Sequence, residues 1–439
     1  MDKKELLCRA EALQDTAVAD RRDLHRFPEG GFQEYRTAVL IITRLKALGY
    51  TVQYGDAVND TSETAGLPDR EAEEAAMRRA IEEGADEALV RAMAGGKTGV
   101  VATINGTAGG GGQTVAFRFD MDSNDAVECS DASHRPTREG FASEHAGLMH
   151  ACGHDGHVAI GLLLSRLLSE YRDAFAGRVK LIFQPAEEGV RGAESMLRAG
   201  VVDDVDVFFG GHIGLSASKN GTLVASVGEF LAASKFDAFF TGRSSHAGLA
   251  PEEGRSALLA ASSAALSLHA ISRHGKGASR INVGVLNAGT ARNVLPDRAV
   301  MRFETRGATT EINRYMETEA RRIVHASAEM YGCGVTLERV GYAEAFEPDP
   351  VFAEEIAALA HSFGAFDTVS TYGAMNASED CTAFLSAVKT RGGRASYLFY
   401  GTELAAGHHN DRFDFDESVL ARSAGFLALL AFRYAGGVI

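Results

Sequence analysis

The sequence is poor in cysteine and in long apolar runs, and both shortages limit what the protein can be. Its five cysteines are odd in number, scattered and without a CxxC pair, which indicates a reducing compartment and no disulfide framework. The longest apolar runs, such as Phe426 to Phe432, fall far short of the ~20 residues that a membrane-spanning helix needs. The charged start, MDKKELLCRAEAL, carries no secretory signal. We therefore expect a cytoplasmic protein that does not enter a membrane.

Positive charge is also in short supply. The chain has 44 basic and 59 acidic residues, a formal net charge of -15 at pH 7. Binding to nucleic acid needs a basic stripe that displaces counterions, so this partner is disfavoured, and so is an anionic membrane surface. Hydrophobic residues make up 45% of the chain and charged residues 23%, as in ordinary soluble globular proteins. The 439 residues exceed what one core usually holds, which predicts two or more domains.

The order of the predicted elements divides the chain into three parts. Strands and helices alternate over residues 1–229, which predicts a doubly wound, mostly parallel sheet of the α/β class. Over 230–341 the order becomes β-α-β-β-α-β, the arrangement of a ferredoxin-like α+β domain. The alternation of strands and helices seen in the first part returns over residues 342–439. The sequence therefore predicts one α/β domain, built from both ends of the chain, with a second domain inserted into it.

Two segments of the first part have an ambiguous role. Four consecutive glycines lie in Thr107 to Gly112, between strands predicted at Val100 to Ile104 and Thr114 to Phe119. No GK[ST] motif and no helix follow, so a flexible hairpin is favoured over a phosphate-binding loop. Residues 69–94 are alanine-rich and highly charged, which predicts one helix with a solvated face; a contact with a partner is the alternative.

The richest stretch in chemically active side chains is MHACGHDGH, from Met149 to His157. It contains one thiol, three imidazoles and a carboxylate, and its two glycines let the backbone turn so that several of them face one point. Cys152 and His154 are the predicted ligand pair, because a thiolate and a neutral imidazole suit borderline divalent ions. Histidines that cap helices or form buried hydrogen bonds are the alternative.

Further candidates lie at the ends of predicted strands, where α/β proteins place their sites. They are Asp120 and Asp122, Glu187 and Glu188, and His212, with His408 and His409 near the end of the chain. Two adjacent carboxylates can divide the work, with Glu188 as a metal ligand and Glu187 as a base that takes a proton from water. A solvated helix start is the alternative for this pair.

Taken together, these groups exceed the needs of one structural zinc ion. Five potential ligands, namely Cys152, His154, Glu188, His212 and one of His408 or His409, suit two ions that share a bridging thiolate. Two close metal ions indicate hydrolysis, since they hold the attacking water and the substrate carbonyl together. Asp120 or Asp122 would orient a ligand imidazole from behind.

The inserted domain has its own candidates. His246 follows a strand in a turn and can donate a hydrogen bond to an oxyanion, and Asn293 can donate similarly. Arg306 can hold a substrate carboxylate through two parallel hydrogen bonds. Each of the three can instead be structural.

Seven motifs now stand in order along nearly the whole chain, and as a set they resemble the M20 metallopeptidase superfamily in its amidohydrolase branch. They are HACGHDGH, FQPAEEG, GGHIG, TGRSSHAG, NVLPD, SED and HHN…FDFDE. The resemblance implies a catalytic domain with two divalent ions, Mn²⁺ or Zn²⁺, and an inserted lid that also mediates dimerisation. It places Cys152 on the bridging ligand, with His154, Glu188, His212 and His409 as the other ligands.

The resemblance also implies the remaining roles. Glu187 falls on the general base, and His246 falls on the lid histidine that polarises the scissile carbonyl. His409 is preferred to His408 because it directly precedes Asn410, although Asp411 replaces the family's usual proline.

The implied reaction is hydrolysis of the amide bond of an N-aroyl or N-acyl amino acid, with p-aminobenzoyl-glutamate as the favoured substrate. A benzoylglycine-type hydrolase and a non-catalytic binding or regulatory subunit are the alternatives. The implied partners are a second copy of the chain or a homologous B subunit, to which the segment 69–94 can contribute.

Overall fold

The computed structural model describes residues 2–437, and these form two compact units. The first unit runs up to Gly228 and includes residues 347–375 and the chain from Asp380 onward. The second unit comprises residues 229–346 and 376–379. Within residues 2–437, no helix combines the length and the apolar character needed to cross a membrane.

The elements are numbered in chain order. The strands are β1 (Thr51–Tyr54), β2 (Val100–Asn105), β3 (Thr114–Asp120), β4 (Arg178–Gln184), β5 (Val207–Ile213), β6 (Thr222–Val224), β7 (Val227–Gly228), β8 (Ala232–Thr241), β9 (Ser279–Ala288), β10 (Arg298–Gly307), β11 (Gly334–Ala343), β12 (Thr368–Ser370), β13 (Gly373–Ala374) and β14 (Arg394–Tyr400). The helices are α1 (Lys3–Glu11), α2 (Gln14–Arg26), α3 (Tyr35–Ala47), α4 (Arg70–Glu82), α5 (Glu87–Ala92), α6 (Arg135–Glu139), α7 (His154–Glu170), α8 (Gly192–Arg198), α9 (Ala257–His269), α10 (Thr310–Met330), α11 (Pro350–Phe363), α12 (Thr382–Thr390) and α13 (Val419–Tyr434).

An eight-stranded sheet forms the centre of the first unit, in the order β1-β2-β4-β3-β5-β14-β6-β12. Its four central strands, β4, β3, β5 and β14, are parallel, whereas β1, β2 and β6 bring antiparallel pairings to the two sides. Every residue of β3 and of β5 is buried, as expected for strands covered by helices on both faces. The predicted α/β fold class is confirmed.

The hairpin predicted around the glycine-rich turn is wrong. Strand β4 lies between β2 and β3, antiparallel to the first and parallel to the second. The turn at 107–112 therefore carries the chain across the end of β4. The local pattern identified both strands correctly, but strand neighbours depend on a segment about 70 residues further along the chain.

The single helix predicted over residues 69–94 is also wrong, because two helices, α4 and α5, occupy this segment. Gly84 separates them with a φ of 94°, a left-handed conformation that ends a helix readily because glycine has no Cβ. Asp86 then caps α5 by accepting the amide of Leu89. The periodic pattern continues through the break, which is why it suggested one helix.

The second unit is an antiparallel sheet in the order β11-β8-β10-β9. Helices α9 and α10 pack on it through a core that includes Phe236, Phe303 and Met316. The β-α-β-β-α-β order of the ferredoxin-like prediction is thus present.

A buried arginine ties the start of α7 to distant parts of the first unit. Arg21 on α2 is fully buried and binds Asp155 at 2.8 Å, Asp414 at 2.9 Å and Glu417 at 3.2 Å. His25, one turn further along α2, shares Asp155 through Nδ1 at 2.8 Å. Removing one partner from such a network leaves an uncompensated buried charge, which costs about 3–5 kcal/mol. Asp155 directly follows His154, so this network holds the backbone at the start of α7 in place.

Candidate metal centre

The predicted ligands converge at one edge of the central sheet. Because β4, β3 and β5 are parallel neighbours, their carboxyl ends meet there. The ligand atoms of Cys152, His154 and His212 all lie within 4.8 Å of one another, and so do those of Cys152, Glu188 and His409. The Cys152 thiol is common to both groups of three.

His154 presents one ring nitrogen to this cluster. Its Nδ1 lies 2.8 Å from the carbonyl oxygen of Asp122 and donates to it, which leaves Nε2 as the ligand atom. Nε2 is buried and has no hydrogen-bond partner among residues 2–437. Burial lowers the pKa of His154, but the charge of Asp120 and the interactions with Asp122 and Cys152 together outweigh burial and hold the pKa well above its usual value. A cation at Nε2 would take the place of that proton.

His212 is fixed in the same way from the neighbouring strand. Its Nδ1 donates to the carbonyl oxygen of Ile213 at 2.8 Å, and its Nε2 lies 3.4 Å from the sulfur of Cys152. Burial, followed by the charge of the nearby His157, holds the pKa of His212 well below its usual value. The ring is therefore neutral at pH 7, which is the form that binds a metal ion.

Cys152 needs a cation to ionise. Burial raises the pKa of its thiol well above the usual value, and the charge of Glu188 raises it further. A bound cation reverses this effect, since a coordinating thiol is deprotonated. The thiol would thus become a ligand only together with a bound ion.

The two glutamates after β4 are held by one carboxylate. Asp122 accepts the backbone amides of Glu187 and Glu188, each at 3.0 Å. Glu187 Oε2 and Glu188 Oε1 lie 4.0 Å and 3.8 Å from Nε2 of His154. Burial raises the pKa of Glu188, but the hydrogen bond with His409 and the charge of His154 bring it to about 2. Glu188 is therefore a carboxylate at neutral pH.

The structure brings His409, and not His408, to the ligand groups. The amide of His409 donates to the carbonyl oxygen of Ala151 at 2.8 Å, and its φ is 63°. Its Nε2 lies 3.4 Å from Glu188 Oε2. His408 instead directs Nε2 to the carbonyl oxygen of Ile213 at 3.2 Å and packs against the ring of Phe413.

Asp120 contacts a histidine that the sequence reasoning missed. Its Oδ1 lies 2.5 Å from Nδ1 of His157, whose Nε2 accepts the amide of Ile213 at 2.9 Å. Asp120 also binds the buried Arg118. His157 lies one helical turn after His154, so the i, i+3 spacing was the signal that could have found it.

In the second unit, His246 and Asn293 lie on two paired loops. Nδ1 of His246 accepts the amides of Gly248 and Leu249, each at 3.1 Å. The neutral ring therefore carries its hydrogen on Nε2, where it can donate. The carbonyl oxygen of Asn293 accepts the amide of Ala247 at 3.0 Å, which brings the two candidates side by side.

Arg306 lies elsewhere in the second unit. Strand β10 begins with Arg298 opposite Thr241, next to the His246 loop, and Arg306 is eight residues further along the strand, a distance of roughly 26 Å. Its guanidinium binds the carboxylate of Glu304 at 2.9 and 3.1 Å. Within this unit the structure does not bring Arg306 to His246 and Asn293.

Comparisons with known proteins identify the family to which this chain belongs. The profile of "Peptidase family M20/M25/M40" matches residues 116–433. Indole-3-acetyl-aspartic acid hydrolase of Enterobacter agglomerans is 49% identical over 415 residues, 94% of each chain. A p-aminobenzoyl-glutamate hydrolase subunit of Escherichia coli (strain K12) is 47% identical, again over 94% of each chain.

Two solved structures are similar to the whole chain. An aminobenzoyl-glutamate utilization protein from Klebsiella pneumoniae has a TM-score of 0.84 and 41% identity, covering 98% of this chain and 99% of its own. A dinuclear metal-binding peptidase of the M20 family from Bacillus subtilis has a TM-score of 0.65 and 25% identity, covering 96% and 98%.

The thiol shared by both ligand groups generates the first prediction. We expect Cys152→Ala to weaken the binding of Mn²⁺ or Zn²⁺ by more than the roughly 10- to 100-fold typical of residues behind a metal ligand, because both groups of three lose a member. The measurement is elemental analysis of protein that has been stripped with a chelator, reloaded and gel-filtered. The matched control is Cys8→Ala, since Cys8 is an exposed thiol on α1. Full metal content in Cys152→Ala would remove the thiol from the ligand set.

Proposed function

The chain belongs to peptidase family M20/M25/M40 and is a metal-dependent amidohydrolase, and on this premise we propose that it uses two divalent ions to cleave p-aminobenzoyl-glutamate into p-aminobenzoate and glutamate. The observation that carries the proposal is the pair of ligand groups that share Cys152, with Glu187 beside them. The names of two relatives support the substrate class. One name specifies an amide of aspartate and the other an amide of glutamate, each with an aromatic acyl group.

The donor set fits the two ions. The proposed ligands are Cys152 as the bridge, with His154, His212, Glu188 and His409. Thiolate and imidazole suit Zn²⁺, whereas carboxylates also suit Mn²⁺, and we propose one of these two metals. A cytoplasmic location is part of the proposal, because Cys152 acts as a ligand only while it stays reduced, and all five cysteines are free thiols. Cell fractionation checks that location.

The ions would increase the acidity of water and polarise the substrate carbonyl. Glu187 then takes the proton from the attacking water and passes it to the nitrogen of the leaving amino acid. Glu187 is 9% exposed, and its carboxylate lies 4.0 Å from Nε2 of the proposed ligand His154, where it could reach that water. Asp122 holds the backbone of Glu187 and the ring of His154 together, so the base keeps its distance from the ligand set.

The second unit is proposed to supply the oxyanion donor. His246 would donate from Nε2 to the carbonyl oxygen as negative charge develops on it, and the side chain of Asn293 would assist. Arg306 stays a prediction for binding a substrate carboxylate. It shares a cavity of about 400 Å³ with Arg273 and Arg280, which favours an anionic occupant.

The substrate assignment and the base are tested together. We expect the metal-loaded protein to hydrolyse p-aminobenzoyl-glutamate with a higher kcat/KM than benzoylglycine. We expect Glu187→Gln to lower kcat on the preferred substrate by about 10²- to 10⁴-fold, the usual contribution of a general base, because the amide cannot take a proton from water. The assay is release of the free aromatic acid, measured by chromatography.

Metal content is the control for this variant, since Glu187→Gln should bind as much metal as the unsubstituted protein. Preference for benzoylglycine would replace the substrate assignment. Undiminished turnover in Glu187→Gln would exclude Glu187 as the base, and no turnover of any N-acyl amino acid by the unsubstituted protein would favour a regulatory subunit.

The oxyanion role generates a second kinetic prediction. We expect His246→Ala to lower kcat by about 10²- to 10³-fold, as for the loss of one oxyanion donor, with unchanged metal content. His269→Ala is the matched control, because His269 is an exposed histidine at the end of α9 in the same unit. Equal kcat values for the two variants would show that His246 takes no part in the reaction.

We also propose that the second unit binds another protein chain, either a second copy of this one or a homologous B subunit. Helix α9 exposes 38% of Leu258, 51% of Leu259 and 78% of Leu266. Strand β9, which α9 partly covers, is an edge strand of its sheet, and unpaired edges favour association. Such an apolar surface usually marks an interface.

This surface predicts the effect of a substitution on assembly. We expect Leu259→Glu combined with Leu266→Glu to reduce the molar mass measured by light scattering to that of one chain, because the two charges would have to be buried in the interface. Met330→Glu is the control, since Met330 is 70% exposed at the end of α10. An unchanged mass in the double variant would place the interface elsewhere.

A further inference from the structure

Arg191, which has no anionic partner in the described part of the chain, lines the cavity beside the ligand groups. The cavity has a volume of about 470 Å³ and is lined by Glu188 and His409 as well as by Arg191. Within residues 2–437, no carboxylate oxygen lies within 4.0 Å of the Arg191 guanidinium, and its buried Nε has no hydrogen-bond partner. The one hydrogen bond it donates runs from Nη1 to the carbonyl oxygen of Gly66 at 2.8 Å. A half-buried guanidinium that forms no salt bridge can bind an anionic ligand.

Three glycines make room for the guanidinium. A Cβ at Gly66 would lie 2.2 Å from Nη1, one at Gly189 would lie 2.3 Å from Nε, and one at Gly31 would lie 3.3 Å from Nη2. Gly66 also has a φ of 72°, which favours glycine over other residues. The ring of Phe32 lies 5.4 Å from the guanidinium carbon and adds a cation–π contact. Three separate segments therefore hold the side chain beside the proposed metal site.

The neighbouring acids do not neutralise Arg191. The carboxylate of Asp122 is occupied by the amides of Glu187 and Glu188, and Glu188 interacts with His409. The remaining acid of the lining, Asp125, is exposed to water. The cavity thus retains one guanidinium, whose planar fork matches a carboxylate through two parallel hydrogen bonds.

Resting on the function proposed above, we propose that Arg191 is the specificity-determining residue of the site and binds the side-chain carboxylate of the amino acid that leaves. The two relatives reported above are named for an amide of aspartate and an amide of glutamate, both with such a carboxylate. Gly66 lies shortly before α4, so the segment that precedes α4 and α5 positions the guanidinium.

The test compares two substrates that differ in that one group. p-Aminobenzoyl-glutamate and p-aminobenzoyl-glutamine share the aromatic acid and the α-carboxylate, and only the first has a charged side chain. We expect Arg191→Gln to lower kcat/KM on the glutamate substrate by about 30- to 150-fold, the effect of losing a charge-assisted hydrogen-bonded pair. On the glutamine substrate we expect a change of less than about threefold, because an uncharged side chain gains little from the guanidinium.

Arg198→Gln is the matched control. Arg198 on α8 is exposed and also binds the segment before α4, through the carbonyl oxygen of Asp60 at 2.8 Å and Oγ1 of Thr64 at 2.5 Å, but it does not line the cavity. If Arg191 only anchored that segment, the two variants would behave alike on both substrates. Metal content and far-ultraviolet circular dichroism are measured for every variant.

Gly66→Ala provides a second variant that keeps the arginine, since the new methyl group would displace Nη1. It should show the same selective loss on the glutamate substrate. An equal loss on both substrates, or an unchanged preference for glutamate in Arg191→Gln, would overturn the role of Arg191. Absence of turnover of both substrates by the unsubstituted protein would instead overturn the proposed function.

Discussion

Asp122, just after the end of β3, holds both parts of the ligand set together. Its carbonyl oxygen accepts a hydrogen bond from Nδ1 of His154, and its carboxylate accepts hydrogen bonds from the backbone amides of Glu187 and Glu188. These groups come from α7 and from the segment after β4, and they come close because β3 and β4 are parallel neighbours. The distance between the proposed base and Nε2 of His154 therefore depends on one residue, Asp122.

Backbone hydrogen bonds decide what each important histidine can do. His154 and His212 donate from Nδ1 to carbonyl oxygens, which leaves Nε2 as an electron-pair donor for a cation. His246 accepts two amides at Nδ1, which leaves its hydrogen on Nε2. The same side chain thus presents an unprotonated Nε2, as the proposed ligand role requires, in the first unit and a protonated Nε2, as the proposed donor role requires, in the second, because the local backbone offers a carbonyl in one case and amides in the other.

Charge is distributed unequally around the site. Asp120, Glu187 and Glu188 lie within 4.0 Å of Nε2 of His154, a concentration of negative charge that suits cations. Arg191 is the opposite case, a cation in the wall of the cavity that forms no salt bridge with any acid among residues 2–437. A substrate that carries a carboxylate on one side and an amide carbonyl on the other matches this separation of charge.

Much of this was readable from the sequence. The alternation of strands and helices predicted the α/β class, and the motifs indicated the family, both of which are confirmed. The candidate ligands could be predicted because thiol, imidazole and carboxylate groups follow predicted strands and glycines, and strand ends meet in parallel sheets; the structure brings their ligand atoms close together. His157, one of the three imidazoles in that stretch, was assigned no role although its helical spacing from His154 was visible.

Other features depended on contacts between distant segments. Strand β2 pairs with β4 rather than with β3. His409 rather than His408 reaches the ligand groups because its backbone amide donates a hydrogen bond to the carbonyl oxygen of Ala151. Arg191 depends on Gly66, which is 125 positions away. The sequence by itself determined which chemical groups are present and which local elements carry them. Only the tertiary structure decided which histidine nitrogens are left without a backbone partner and which arginine has no counterion among residues 2–437, because those properties arise from atoms that chain folding brings together and that no local pattern encodes.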